Sequence, residues 1–161
     1  MEQNFKILIV ILVVNILITI ILGGSKRFVF YYDFKDLFIS FLSWIVLLIG
    51  VILSSYLDLK ELIPIAVTIS IIIGLYSLFL AVKYNRMNIF VGIPIGISKI
   101  ILGGLFVLKL FDLISPSGKS VGKRRENRMT SGIILFLLSI IFKFLINGEE
   151  VYKRKGWEVS K

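Results

Sequence analysis

Long apolar runs separated by short polar intervals make up most of this chain, and five of them have a length suited to crossing a bilayer. They cover residues 7–22, 37–57, 62–82, 89–111 and 129–146. A spanning helix needs about 20 predominantly apolar residues, within a range of roughly 17 to 25. Runs 37–57 and 62–82 carry no charge at all. Run 7–22 is also uncharged but short, and Lys6 before it with Gly23, Gly24 and Ser25 after it give it the outline of a signal peptide. It exceeds a usual signal core and lacks a clear small-x-small cleavage site, so it reads as a retained span. The pattern predicts an all-α, polytopic membrane bundle of five helices. The whole of 1–161 forms one membrane domain, with a basic loop at 112–128 and a basic tail at 147–161. Both polar stretches are too short to bury a core of their own.

Run 89–111 departs most from a plain span because Lys99 lies near its middle. At about 100° per residue, Gly92, Gly96 and Gly103 fall within a roughly 60° wedge around that lysine. Pro94 removes a backbone donor between the first two glycines, so a kink or break is expected near Lys99. An unpaired charge at bilayer depth costs about 3 kcal/mol or more and should face protein or water. No Asp or Glu falls inside any of the five runs. An ion pair within the chain is therefore not expected, which leaves two kinds of reading open. Lys99 lines an anion path or ligand site, or it is satisfied by carbonyls freed by Pro94, by a neighbouring serine, or by reaching the interface.

Small and polar residues recur at helical spacing on the other runs. Ala66, Ser70, Gly74, Ser77 and Ala81 form one stripe. Ser40, Ser43, Gly50 and Ser54 form another, as do Asn15, Thr19 and Gly23. Residues of this size let helix backbones approach closely in lipid, where dispersion and hydrogen bonds drive association. The stripes predict a compact bundle, with an oligomer interface or a pore lining as the functional alternative.

Charge then sets orientation and partners. The chain of 161 residues has a formal net charge of +9, and the segment from Lys109 onward contributes +6 of it. Lys119, Lys123, Arg124, Arg125 and Arg128 make 112–128 the most basic loop, which by the positive-inside rule lies in the cytoplasm. Five crossings then leave seven basic residues inside against nine outside. If the last run dips in and returns, giving four crossings, the count becomes eleven against five. Hydropathy favours five and charge favours four. Anionic lipid headgroups are the default partner of the loop and of Lys153, Arg154 and Lys155, each basic side chain being worth about 1 kcal/mol near such a surface. A cytosolic protein docking on 115–128 and a second copy of the chain are further expected partners, and nucleic acid is not expected. The aromatic stretch 28–34 reads as an interfacial belt or a docking patch, and Tyr152 and Trp157 as interfacial anchors.

The residue types for catalysis are scarce. Cysteine and histidine are absent, which removes thiol chemistry and metal sites built from those side chains, and no cofactor is expected. All ten carboxylates lie in loops or termini by this reading. Asp33 and Asp36 share one turn as a conceivable metal or phosphate pair, but next to Lys35 they read as solvated. The chain is not expected to be an enzyme. Its preference for Ile and Lys suggests an AT-rich bacterial genome, hence the bacterial inner membrane. In span number and size the chain is similar to bacteriocin immunity proteins and to small membrane subunits of bacterial defence systems, such as the membrane component of Kiwa. Two functions stay open: a non-catalytic, oligomeric membrane subunit that docks a partner through its basic carboxyl-terminal half, and a small oligomeric channel with an anion path near Lys99.

Overall fold

The computed structural model describes residues 10, 13–18, 21, 27–118 and 120–156. Four long helices follow one another: α1 (Phe34–Leu57), α2 (Leu62–Tyr84), α3 (Ile89–Ile114) and α4 (Val121–Leu145). A short helix, α5 (Gly148–Lys155), completes the order. All four long helices are long and apolar enough to cross a membrane, and the described residues contain no named strand. The expected fifth helix, 7–22, falls mostly outside the described residues; those described, 10, 13–18 and 21, are helical. All but the last residue of run 129–146, whose crossing was in doubt on charge, lie in α4.

Local side chains set where the helices begin. Asp33 is extended and accepts the Asp36 amide at 2.8 Å, so α1 starts three residues before the apolar run. Ser120 caps α4 in the same way through the Lys123 amide. The polar interval 112–128 therefore shrinks to 115–120, with its flanks absorbed into α3 and α4. Asn88 caps α3. That helix is continuous from 89 to 114, which corrects the expected break at Lys99. Pro94 is only the sixth helical residue, so the carbonyl it frees is that of Phe90 in the exposed first turn.

Helix α3 is the hub, packing on α1, α2 and α4. Its glycines divide between two neighbours. A Cβ at Gly92 would lie 2.4 Å from the Val82 Cα, and one at Gly96 would lie 3.0 Å from the Leu78 Cα, both on α2. One at Gly103 would lie 2.7 Å from the Ser40 carbonyl oxygen on α1. Val82 meets Gly92 with backbone, which cannot rotate away. Gly92→Ala is expected to cost about 1–3 kcal/mol through overpacking, whereas Gly132→Ala, whose Cβ would meet only the Leu113 Cδ1 at 3.8 Å, should be near neutral. Thermal unfolding of the two variants in detergent checks the difference.

The ends of the helices are unlike. The start of α1, the end of α2, the start of α3 and the end of α4 gather at one end of the bundle together with α5. The turns 58–61 and 115–120 lie at the other. Residues 28–32 run into the first end as a non-helical plug, and Val29, Phe30 and Tyr31 are fully buried. This corrects the reading of 28–34 as a surface belt or patch. Non-helical backbone survives at depth when protein satisfies its polar groups, and here it does so from three helices. The Val29 amide donates to the Asn85 Oδ1 (3.1 Å) while the Asn85 Nδ2 donates to the Val29 carbonyl (2.9 Å). The Tyr31 amide donates to the Leu145 carbonyl, and the Gly148 amide to the Tyr31 carbonyl, each at 3.1 Å. A Cβ at Gly148 would lie 2.3 Å from the Tyr32 Cα, so only glycine lets α5 start against the plug.

Candidate functional site

Three elements converge where the plug meets the bundle. The short interval between Asp33 and the first turn of α1 places Asp36 beneath the plug, and the Tyr32 amide donates to its Oδ2 at 2.9 Å. Lys99 extends from α3 toward that helix's amino-terminal end, the direction in which helical side chains lean. Its Nζ lies 2.7 Å from the Asp36 Oδ1 and 2.6 Å from Oδ2, with side-chain exposures of 0% for Lys99 and 1% for Asp36. The same Nζ stands 5.0 Å from the centroid of the Tyr31 ring, close enough for a cation–π attraction. Next to the Tyr31 ring, Phe142 meets both Phe41 and Phe106 edge-on, and those two rings stack at 4.7 Å. The lysine is thus buried against one carboxylate and the Tyr31 ring, which in turn meets Phe142 edge-on at 6.1 Å.

Asp36 is the site residue that sequence reasoning misplaced. Counting the run from Leu37 left the aspartate in a loop, whereas the Asp33-x-x-Asp36 spacing is a capping signal that carries it into the helix. The pair also replaces the other partners expected for Lys99, which were freed carbonyls, a serine or the interface. Asp33 and Asp36 are not a solvated pair: one caps α1 and the other is buried against Lys99. Ser98, next in sequence, instead donates to the Asn15 Oδ1 at 3.1 Å, which ties the helical residues 13–18 to α3.

The small-residue stripes lie largely inside the chain. Ala66, Gly74, Ser77 and Ala81 on α2 are buried, as are Ser40, Ser43, Gly50 and Ser54 on α1, while Ser70 is half-buried. A Cβ at Gly50 would overlap that of Ala66 at 2.1 Å, so these two residues set the α1–α2 seam, whereas Ser40 and Gly74 face α3 through Gly103 and Ile100. Thr19 lies outside the described residues.

The basic residues fall at opposite ends of α4. Lys123, Arg124, Arg125 and Arg128 are exposed on its first two turns, which project beyond its apolar part, and the Arg124 Nε donates to the Gly118 carbonyl at 2.8 Å. Lys119 lies outside the described residues. Lys153, Arg154 and Lys155 are exposed on α5, with the Lys155 Nζ on the Arg27 carbonyl at 2.7 Å. The single basic docking half expected from the sequence is therefore two surfaces, one at each end of the bundle. Tyr152 packs edge-on to Tyr32 and Tyr84, which stack at 4.7 Å, and its hydroxyl donates to the Tyr84 carbonyl. It holds α5 to the bundle, and that burial pushes its phenol above the ordinary range. Trp157 lies outside the described residues. Among the described residues no three His, Cys, Asp or Glu side chains converge as a metal site requires. No family model, curated protein or solved structure matches the chain.

Proposed function

We propose that this protein is a non-catalytic, multi-pass subunit of the bacterial cytoplasmic membrane that docks a protein partner or a second copy through the projecting start of α4. The observation that carries the reading is the helical extension itself. Two turns of α4 stand beyond the apolar part and carry four exposed basic side chains against a single acid, Glu126. A rigid helix presents charge in a fixed arrangement, which a 17-residue loop does not. The Lys99–Asp36 pair supports a scaffold over a channel, because the lysine's charge is matched within the chain and leaves an anion path without its cation.

Gly122 is exposed on this extension, with open space around its Cα, and accepts a photo-crosslinking residue without disturbing packing. In native membranes that probe is expected to give one discrete protein adduct. Reversing Arg124, Arg125 and Arg128 to glutamate should lower its yield about tenfold or more, given roughly 1 kcal/mol for each basic contact removed. An adduct of unchanged yield after charge reversal, or no adduct from the parent, contradicts the proposal.

A further inference from the structure

Neither residues 28–32 nor α5 holds its place alone. Helix α5 has eight residues, well short of the roughly 12–15 at which an isolated helix is even marginal in water. The plug is non-helical, so its backbone polar groups depend on other elements. Each half supplies what the other lacks. Tyr31 and Ile146 form a parallel bridge, in which the Tyr31 amide is bonded to the last turn of α4 and the Tyr31 carbonyl to the first amide of α5. Tyr152 meets the Tyr32 ring edge-on at 5.3 Å, and the Lys155 Nζ donates to the carbonyl of Arg27, just before the plug. The contacts thus run the length of both segments, from Gly148 against Tyr32 to Lys155 against Arg27. The four long helices need no such help, since each satisfies its backbone internally.

The plug also covers the ion pair. Tyr31 puts its ring 5.0 Å from the Lys99 Nζ, the next residue gives its amide to the Asp36 Oδ2, and with both in place the lysine side chain is 0% exposed. We propose that residues 28–32 and α5 are a lid that opens as one unit over Lys99 and Asp36 while α1–α4 stay packed, and that this opening is the route by which water and its solutes reach the lysine. The lid is attached at Asp33, where α1 begins, and at Ile146, where α4 ends. Elements that move are drawn from the low-stability end of a structure, and a one-bridge contact between an irregular segment and a two-turn helix belongs there. Because the halves share their hydrogen bonds, a change that weakens either one weakens both. The basic extension of α4 is at the opposite end of the bundle, so neither reading depends on the other.

Acetylation of Lys99 reads the opening directly. The full chain is held in lipid nanodiscs, which leave both ends open to water, and treated with sulfo-N-hydroxysuccinimidyl acetate; peptide mass spectrometry gives the rate at each lysine. A Cβ at Gly148 would lie 2.3 Å from the Tyr32 Cα, so Gly148→Ala forces the halves apart and should speed the reaction at Lys99 about tenfold or more. Hydrogen exchange should quicken together at the amides of Tyr31, Tyr32, Gly148 and Val151 and stay slow in the middle of α3. Tyr152→Ala removes the ring on Tyr32 and the bond to the Tyr84 carbonyl, and should show both effects whether or not Gly148→Ala folds. Gly50→Ala is the control for general loosening. Its Cβ would lie 2.1 Å from the Ala66 Cβ, about four turns along α1 from Asp36, so it should lower the unfolding temperature and leave the Lys99 rate unchanged. Faster exchange in α5 with Tyr31 and Tyr32 still protected would show two separate segments. A Lys99 rate raised as much by Gly50→Ala as by Tyr152→Ala would place its access in unfolding of the bundle. Either result overturns the proposal, as does an unchanged Lys99 rate in Tyr152→Ala.

Discussion

Lys99→Ala and Asp36→Ala each lower the stability of the bundle by about 3–5 kcal/mol, the cost of leaving one partner of a buried ion pair uncompensated. The two losses arise differently. Without Lys99, the Asp36 carboxylate keeps only the Tyr32 amide of the contacts described above and stays buried, with a side-chain exposure of 1%. Without Asp36, the ammonium retains the Tyr31 face at 5.0 Å and the Tyr32 amide loses its acceptor, while the Asp33 cap persists because it accepts from the backbone amide of residue 36. Denaturation in mixed micelles, followed by the fluorescence of Trp44, measures both. Trp44 suits the purpose because its Nε1 donates to the Ile100 carbonyl across α1 and α3 at 2.8 Å, so separation of those helices changes its surroundings. A shift smaller than about 1 kcal/mol in either variant would mean that water reaches the pair.

The second large effect belongs to Asn85. Its side chain makes three hydrogen bonds: it accepts from the Val29 amide and donates to the Val29 and Ala81 carbonyls. Asn85→Leu keeps the volume but strands both polar groups of Val29 in a site closed to solvent, at about 1–3 kcal/mol for each. The plug should loosen while the long helices persist. Hydrogen exchange is expected to speed up at the amides of residues 29–32 and to stay slow in the middle of α3. Asn85→Asp keeps the acceptor for the Val29 amide but loses both donors, so it should also release the plug. Unchanged protection of residues 29–32 in Asn85→Leu would show that Asn85 does not hold the segment.

The class of fold was legible because an apolar run of spanning length admits few structures in a membrane. The glycines of α3 were equally legible as small residues, since Gly92, Gly96 and Gly103 do meet neighbouring backbones. What the pattern could not reveal was how those contacts divide between α1 and α2, because helical spacing gives a face and not the crossing direction. The plug was misread for a physical reason. Loops ordinarily lie on the surface because their backbone polar groups need water, and residues 28–32 escape that rule only through partners as distant in sequence as Asn85 and Leu145. Once the plug was placed outside, Asp36 went with it, and Lys99 was left without the acid that matches it. The start of α4 was hidden by composition: VGKRRENR reads as a loop by hydropathy, although Ser120 before it is a good cap.

A double-mutant cycle on Asp36 and Lys99 bears most directly on the claim that Lys99 is neutralised within the chain. In Asp36→Leu with Lys99→Met, both charges are gone and the volumes are roughly kept, a replacement that is often neutral or stabilising for a buried pair. The double variant is therefore expected to be more stable than either alanine variant and either of its own single components, by about 2 kcal/mol or more. Additive losses, with the double variant the least stable of the set, would contradict the pairing and return Lys99 to the position of a charge in search of an external anion.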